Sequence, residues 1–138
     1  MVAINILITI VVGVAVGAIV RENPPSVWGP MQILGLCLLA IGFILWTTAR
    51  FQLGKSLAVT AQAKKLVTTG LYSKIRNPIY VFGSCVIAGL ILTVGRPIYL
   101  LIFIAIIPLQ VWRNRKESSV LESAFGDEYR NYRASTWF

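Results

Sequence analysis

The chain contains no histidine at all, and its aspartates and glutamates together number five. Lack of histidine removes the commonest general base and the usual zinc sites. Five acids and two cysteines leave little else to hold a metal, so none is expected. Cys37 and Cys85 both lie inside apolar runs, without a metal-ligand or redox-motif neighbour, and read as small buried hydrophobes. Charged residues make up only 13% of the chain, against about 25% in an ordinary soluble domain. Hydrophobic residues make up 57%, and the mean hydropathy is +0.74. Those values describe a polytopic membrane protein of one domain. The net charge of +8 then reflects basic residues in cytoplasmic loops that touch anionic membrane lipids, and no nucleic-acid partner is expected.

The apolar runs give an all-α integral membrane fold with about four transmembrane helices. The first run, Val2–Val20, lacks the basic start of a signal peptide and is too long for its apolar core. Gly13 and Gly17 share one face of it. Pro24 and Pro25 break the chain, and Ser26 is placed to cap a second helix from about Val27 to Ala49. Trp28 and Trp46 sit near its ends, where aromatic belts lie. Gly35 and Gly42 mark a close helix–helix face. These glycine faces suit a homodimer as well as an intramolecular hairpin. Residues 1–50 thus read as a helical hairpin and residues 51–138 as a cofactor-binding core of the same domain. Two shorter runs, about Ile79–Val94 and Ile98–Trp112, turn at Gly95-Arg96-Pro97 and form a short helical hairpin, kinked at Pro108. An amphipathic C-terminal helix from Trp112 to about Phe125 is expected, ending at Gly126. Beyond it, Tyr129 and Tyr132 are placed to pack on the headgroup layer.

Orientation follows from the cations. With the N-terminus inside and four spans, Arg50, Lys55, Lys64, Lys65, Lys74 and Arg76 share the inner side with Arg113, Arg115, Lys116, Arg130 and Arg133, leaving only Arg21 and Arg96 outside. This is a strong positive-inside bias. It puts the polar loop and the C-terminal tail together on the cytoplasmic face, and the protein is expected in the inner (cytoplasmic) membrane.

That shared face holds the chemistry. Thr69-Gly70 reads as a turn. Asn77-Pro78 reads as a helix start, with Asn77 as the cap and Pro78 in the first turn, where a missing N–H costs nothing. The open amides of such a start attract negative groups. Tyr72 and Tyr80 offer aromatic faces to a purine or a cation, or are ordinary interface tyrosines. Across from them Arg113, Glu117, Leu121 and Phe125 recur every four residues on one helix face. Arg113 and Glu117 form either an i,i+4 ion pair or a pair of ligand groups for a zwitterion and an anion.

Leu66-Val67-Thr68-Thr69-Gly70-Leu71-Tyr72, followed by Arg76-Asn77-Pro78-Ile79-Tyr80, resembles the signature of the isoprenylcysteine carboxyl methyltransferases, a pattern that related membrane phospholipid methyltransferases share. Arg113, Glu117, Leu121, Phe125-Gly126, Tyr129 and Tyr132 stand at the family's spacing in the tail. The resemblance covers roughly Leu66–Arg133. It implies S-adenosylmethionine as cofactor, bound by Lys64, Lys65, Leu66 and Val67, by Tyr72, by Asn77, Pro78, Ile79 and Tyr80, and by Glu117. It places Arg113 at the substrate. Two positions depart from the family's pattern: Asn77 stands where the family often has His, and Ser118 where it often has a second acid.

The resemblance makes the lack of histidine no obstacle. An activated methyl needs in-line positioning and a dry pocket more than an acid or base, so no catalytic side chain is expected. The acceptor is expected to be a lipophilic or lipidated molecule arriving from the bilayer, with a carboxylate oriented by Arg113. The alternatives are a phospholipid or other amine acceptor and, outside enzymes, a small four-helix exporter or structural subunit. The exporter is disfavoured because no acid lies within any span to couple protons.

Overall fold

A computed structural model describes residues 2–53 and 66–137, with side chains from residue 6 onward. Every regular element among the described residues is helical. The order is α1 (Val2–Glu22), α2 (Pro30–Leu53), a 3₁₀ turn (Gly70–Ser73), α3 (Pro78–Val94), a second 3₁₀ stretch (Pro97–Ile102), α4 (Phe103–Phe125) and α5 (Asp127–Ser135).

Two stretches, Pro30–Leu53 and Pro97–Phe125, are long and apolar enough to cross a membrane. Helix α3 is equally apolar in character but shorter, at 17 residues. Large apolar side chains face outward along the helices: Val14 on α1 is 67% exposed and Ile104 on α4 is 72% exposed. Helices that expose such residues in contiguous faces bury them in lipid rather than in water.

Helix α2 starts at Pro30 rather than near Val27. Ser26 does not cap it. Instead the Gln32 side chain reaches back and accepts a hydrogen bond from the Gly29 N–H at 3.1 Å, with Pro30 following in the first helical position. The tight partner of α2 is α3, not α1, which touches both more lightly. A Cβ on Gly35 would stand 2.5 Å from the Thr93 nitrogen, and one on Gly89 would stand 2.4 Å from the Leu39 nitrogen. The two backbones are therefore in direct contact, and Gly35 and Gly42 serve this face. On α1, a Cβ on Gly17 would meet nothing within 4 Å. Cys85 lies half-buried in α3, whereas Cys37 is exposed on α2. The expectation that both are buried fails at Cys37, which lies on the side of α2 turned from its partner.

Gly95 closes α3 in a left-handed conformation (φ 77°), and Arg96 N donates to Ile91 O at 3.3 Å, the wrapped hydrogen bond that a positive φ permits. The return arm is longer than the expected short hairpin. Helix α4 runs unbroken through Pro108 and on past Trp112 to Phe125, so the amphipathic tail is its second half rather than a separate helix. The reason is local: Arg113 to Ala124 contains neither Gly nor Pro and is rich in good helix formers. Gly126 (φ 52°) stops it.

Helix α5 folds back on α4. Tyr129 and Tyr132, expected at the headgroups, are instead buried with Leu66, and Leu121 and Phe125 of α4 pack against them. Once α5 is a helix, both tyrosines fall on its one apolar face, and that face finds α4 before it finds lipid.

Candidate active site

The site forms where the first turn of α3 meets the middle of α4. Three polar pairs join the two helices here. Asn77 Nδ2 donates to Asn114 Oδ1 at 2.6 Å. The Tyr80 hydroxyl donates to Glu117 Oε1 in a short hydrogen bond. Deeper in the apolar part, Gln110 Nε2 donates to Ser84 Oγ at 3.0 Å, and Ser84 Oγ in turn donates to its own backbone at Tyr80 O, 3.0 Å away.

Asn77 occupies the N-cap of α3, as expected, but its side chain makes no capping hydrogen bond. The amide is spent on Asn114 instead. The Asn77 backbone carbonyl accepts from Tyr80 N at 3.1 Å and Val81 N at 3.3 Å. Pro78 is fully buried behind it, which fixes the entry of the chain into α3.

The Arg113–Glu117 relation resolves in favour of separate partners. The salt bridges among the described residues all involve Arg130, with Glu122 and with Asp127. The Arg113 guanidinium lies over the Tyr80 ring, 5.5 Å from its centroid. Tyr80 thus gives its face to a cation and its hydroxyl to a carboxylate. Glu117 is half-buried, and Arg113 is exposed.

Around this centre, Leu71 N donates to Gln52 Oε1 at 2.9 Å, which ties the 3₁₀ turn to the end of α2. Tyr72 is 5% exposed. Its hydroxyl donates to Ala49 O at 3.4 Å, and its own carbonyl accepts from the Tyr132 hydroxyl at 2.7 Å. Burial first, then the nearby Tyr132 and the negative charge of Glu117, hold the Tyr72 phenol above its ordinary range. Tyr72 is therefore a neutral packing residue whose ring backs the site. Leu66 is buried in the α4–α5 core, and Val67 and Ile79 are half-buried. Lys64 and Lys65 lie outside the described residues.

The residues that pattern reading passed over are Asn114, Gln110 and Ser84. Their only signal was that polar side chains in apolar helices must find partners. Asn114 follows Arg113 directly and was hidden in a run of charge.

A family model described as phospholipid methyltransferase matches residues 30–128, from the start of α2 into the first turn of α5. The chain belongs to the phospholipid methyltransferase family and is a membrane methyltransferase. Members of this family generally use S-adenosylmethionine. The match extends to these membrane methyltransferases as a group rather than to the isoprenylcysteine carboxyl branch in particular. No curated protein and no solved structure matches the chain.

Proposed function

We propose that the chain uses S-adenosylmethionine to methylate a lipophilic acceptor at the α3–α4 junction, on the cytoplasmic side of the inner membrane. The observation that carries this reading is the Tyr80–Glu117 hydrogen bond. It joins two motif halves 37 residues apart in one polar spot at the end of an apolar bundle.

The donor set suits the cofactor. Among the described residues no hydrogen bond reaches Glu117 Oε2, which leaves one carboxylate oxygen for an ammonium. The start of α3 favours a carboxylate, and the rings of Tyr80 and Tyr72 suit a purine or a sulfonium. Bound S-adenosylmethionine supplies an activated methyl group. The protein's own part is positional. Asn77 and Asn114 hold the two helices in register, Tyr80 fixes Glu117, and Lys64, Lys65, Leu66 and Val67 complete the cofactor contacts. The apolar ends of α3 and α4 exclude water. Arg113 is exposed beside them and orients an anionic acceptor. Residues 1–50 supply the membrane anchor of a four-span topology, and the acceptor enters laterally from the bilayer.

A second reading, methylation of a phospholipid amine, is favoured by the description of the matching family. Mass spectrometry of the methylated product separates oxygen from nitrogen acceptors. The cofactor assignment has its own test. Calorimetric titration should show S-adenosylmethionine binding abolished in Glu117→Ala and retained in Arg113→Ala. Normal binding by Glu117→Ala would overturn the assignment.

A further inference from the structure

The side of α4 turned away from Tyr80 carries a cleft. Each residue advances an α-helix by about 100°, so Arg115 and Ser119, each two positions from Glu117, stand on the opposite face. There a cleft of about 690 Å³ opens between Arg76, α4 and α5. Its lining includes four arginines, Arg76, Arg115, Arg130 and Arg133, against a single acid, Glu122.

Not all of this charge is committed. Arg130 is held by Glu122 at 2.8 Å and by Asp127 at 3.0 Å. Among the described residues, Arg76, Arg115 and Arg133 form no salt bridge, and the Arg76 Nε is buried with no hydrogen-bond partner. A buried guanidinium nitrogen without an acceptor is costly unless a ligand supplies one. Hydroxyl and amide groups make up most of the remaining lining. Three uncommitted guanidinium forks beside hydroxyl donors match the oxygens of a phosphate group, and they repel an amine. Position narrows the source. The cleft runs along α4 from Val111, where the apolar half of the helix ends, to Ser123. This is the level at which headgroup phosphates meet a membrane protein.

We propose that this cleft binds a phosphate group, presented by an anionic phospholipid headgroup or by free phosphate, at a site distinct from the α3–α4 junction. The two sites share one wall residue, Asn114, which lines the cleft and also meets Asn77. The proposal rests on the membrane character of the chain and not on the methyl-transfer reading.

The test uses the whole chain in phosphatidylcholine nanodiscs, with and without phosphatidylglycerol, and separately with inorganic phosphate. Native mass spectrometry reads lipid retention, and the thermal midpoint reads stabilisation. The Arg115→Gln/Arg133→Gln variant should retain about tenfold less phosphatidylglycerol, as expected for losing charge-assisted contacts. An Arg21→Gln/Arg96→Gln variant, which removes two exposed cations outside the cleft, should retain it normally. Stabilisation of the unaltered chain by phosphatidylglycerol alone assigns the site to lipid, and stabilisation by inorganic phosphate assigns it to the free anion. Stabilisation by neither overturns the proposal, as does equal loss of lipid in both double variants. Loss of S-adenosylmethionine binding in the cleft variant would merge the cleft with the α3–α4 site and overturn its separateness. A chain that binds no S-adenosylmethionine at all would sink the methyl-transfer reading, while the lipid arm would still decide the cleft.

Discussion

Asn77 and Ser118 donate to the same oxygen. Asn77 Nδ2 lies 2.6 Å from Asn114 Oδ1, and Ser118 Oγ lies 3.4 Å from it. They are the two positions at which the chain departs from the pattern of the isoprenylcysteine carboxyl methyltransferases, one on α3 and one on α4. In space they converge on Asn114, so the two departures belong to one neutral hydrogen-bonded group.

Replacing Asn114 by Ala should therefore be felt on both helices. The Asn77 amide loses its acceptor in a half-buried position, at a cost of about 1–3 kcal/mol. Thermal melting in detergent should register the loss. Ser118→Ala, which removes only the longer contact, should melt within about 0.5 kcal/mol of the unaltered protein.

Tyr80→Phe isolates the hydroxyl from the ring. The phenyl face under Arg113 stays, and the hydrogen bond to Glu117 goes. A carboxylate that is no longer held in place should bind S-adenosylmethionine more weakly by about tenfold, within the range of a single charge-assisted hydrogen bond. Unchanged affinity in a calorimetric titration would show that Tyr80 does not position Glu117.

The α2–α3 contact gives a stability prediction with a built-in control. Gly89→Ala would push a Cβ to 2.4 Å from the Leu39 nitrogen and 2.8 Å from the Gly35 carbonyl oxygen. Overpacking against backbone should destabilise by about 1–3 kcal/mol or more. Gly17→Ala on α1 meets open space and should be neutral or favourable by up to about 1 kcal/mol, from helix propensity alone. Melting temperatures of the two variants should move in different directions or, at the least, by very different amounts.

The α5 contact should depend on alkaline pH. Burial pushes the Tyr132 phenol up to about 12 from its ordinary 10.0, and burial raises Tyr72 as well. In a group raised on folding, the folded state keeps its proton while the unfolded state loses it. The contribution is then complete below pH 10 and is lost as pH rises toward 12. Tyrosinate absorbance together with amide exchange across Asp127–Ser135 should show α5 releasing in that window. Tyr132→Phe should abolish the Tyr132 share of the pH dependence.

What could be read from the chain and what could not divide along physical lines. The starts and stops written in backbone chemistry were legible: Pro78 after Asn77, Gly95 before Arg96-Pro97, and Gly126 after Phe125. So was the face shared by Arg113 and Glu117, because helical spacing is fixed. Which helices touch was not legible. Gly35 and Gly42 announced a close partner without naming α3, and Gly89, the other half of that contact, stood in an apolar run like any other small residue. The direction taken by Tyr129 and Tyr132 was equally hidden, since an amphipathic segment fits lipid headgroups and a neighbouring helix equally well. Charge also misled at Trp112. The change from apolar to basic marks where the environment changes, and α4 passes through it without breaking.

The Tyr132–Tyr72 hydrogen bond spans 60 residues of chain, and Trp137 N adds another to Lys74 O at 2.9 Å. Synthesis proceeds from the N-terminus, so the turn that leads into α3 is laid down before α5 exists to brace it. The segment that backs the first wall of the site is thus clamped only after α4 has been completed and α5 has folded back. A nascent chain halted after Phe125 would contain Asn77, Tyr80, Arg113 and Glu117 and would still lack the brace that holds the Tyr72 turn behind them.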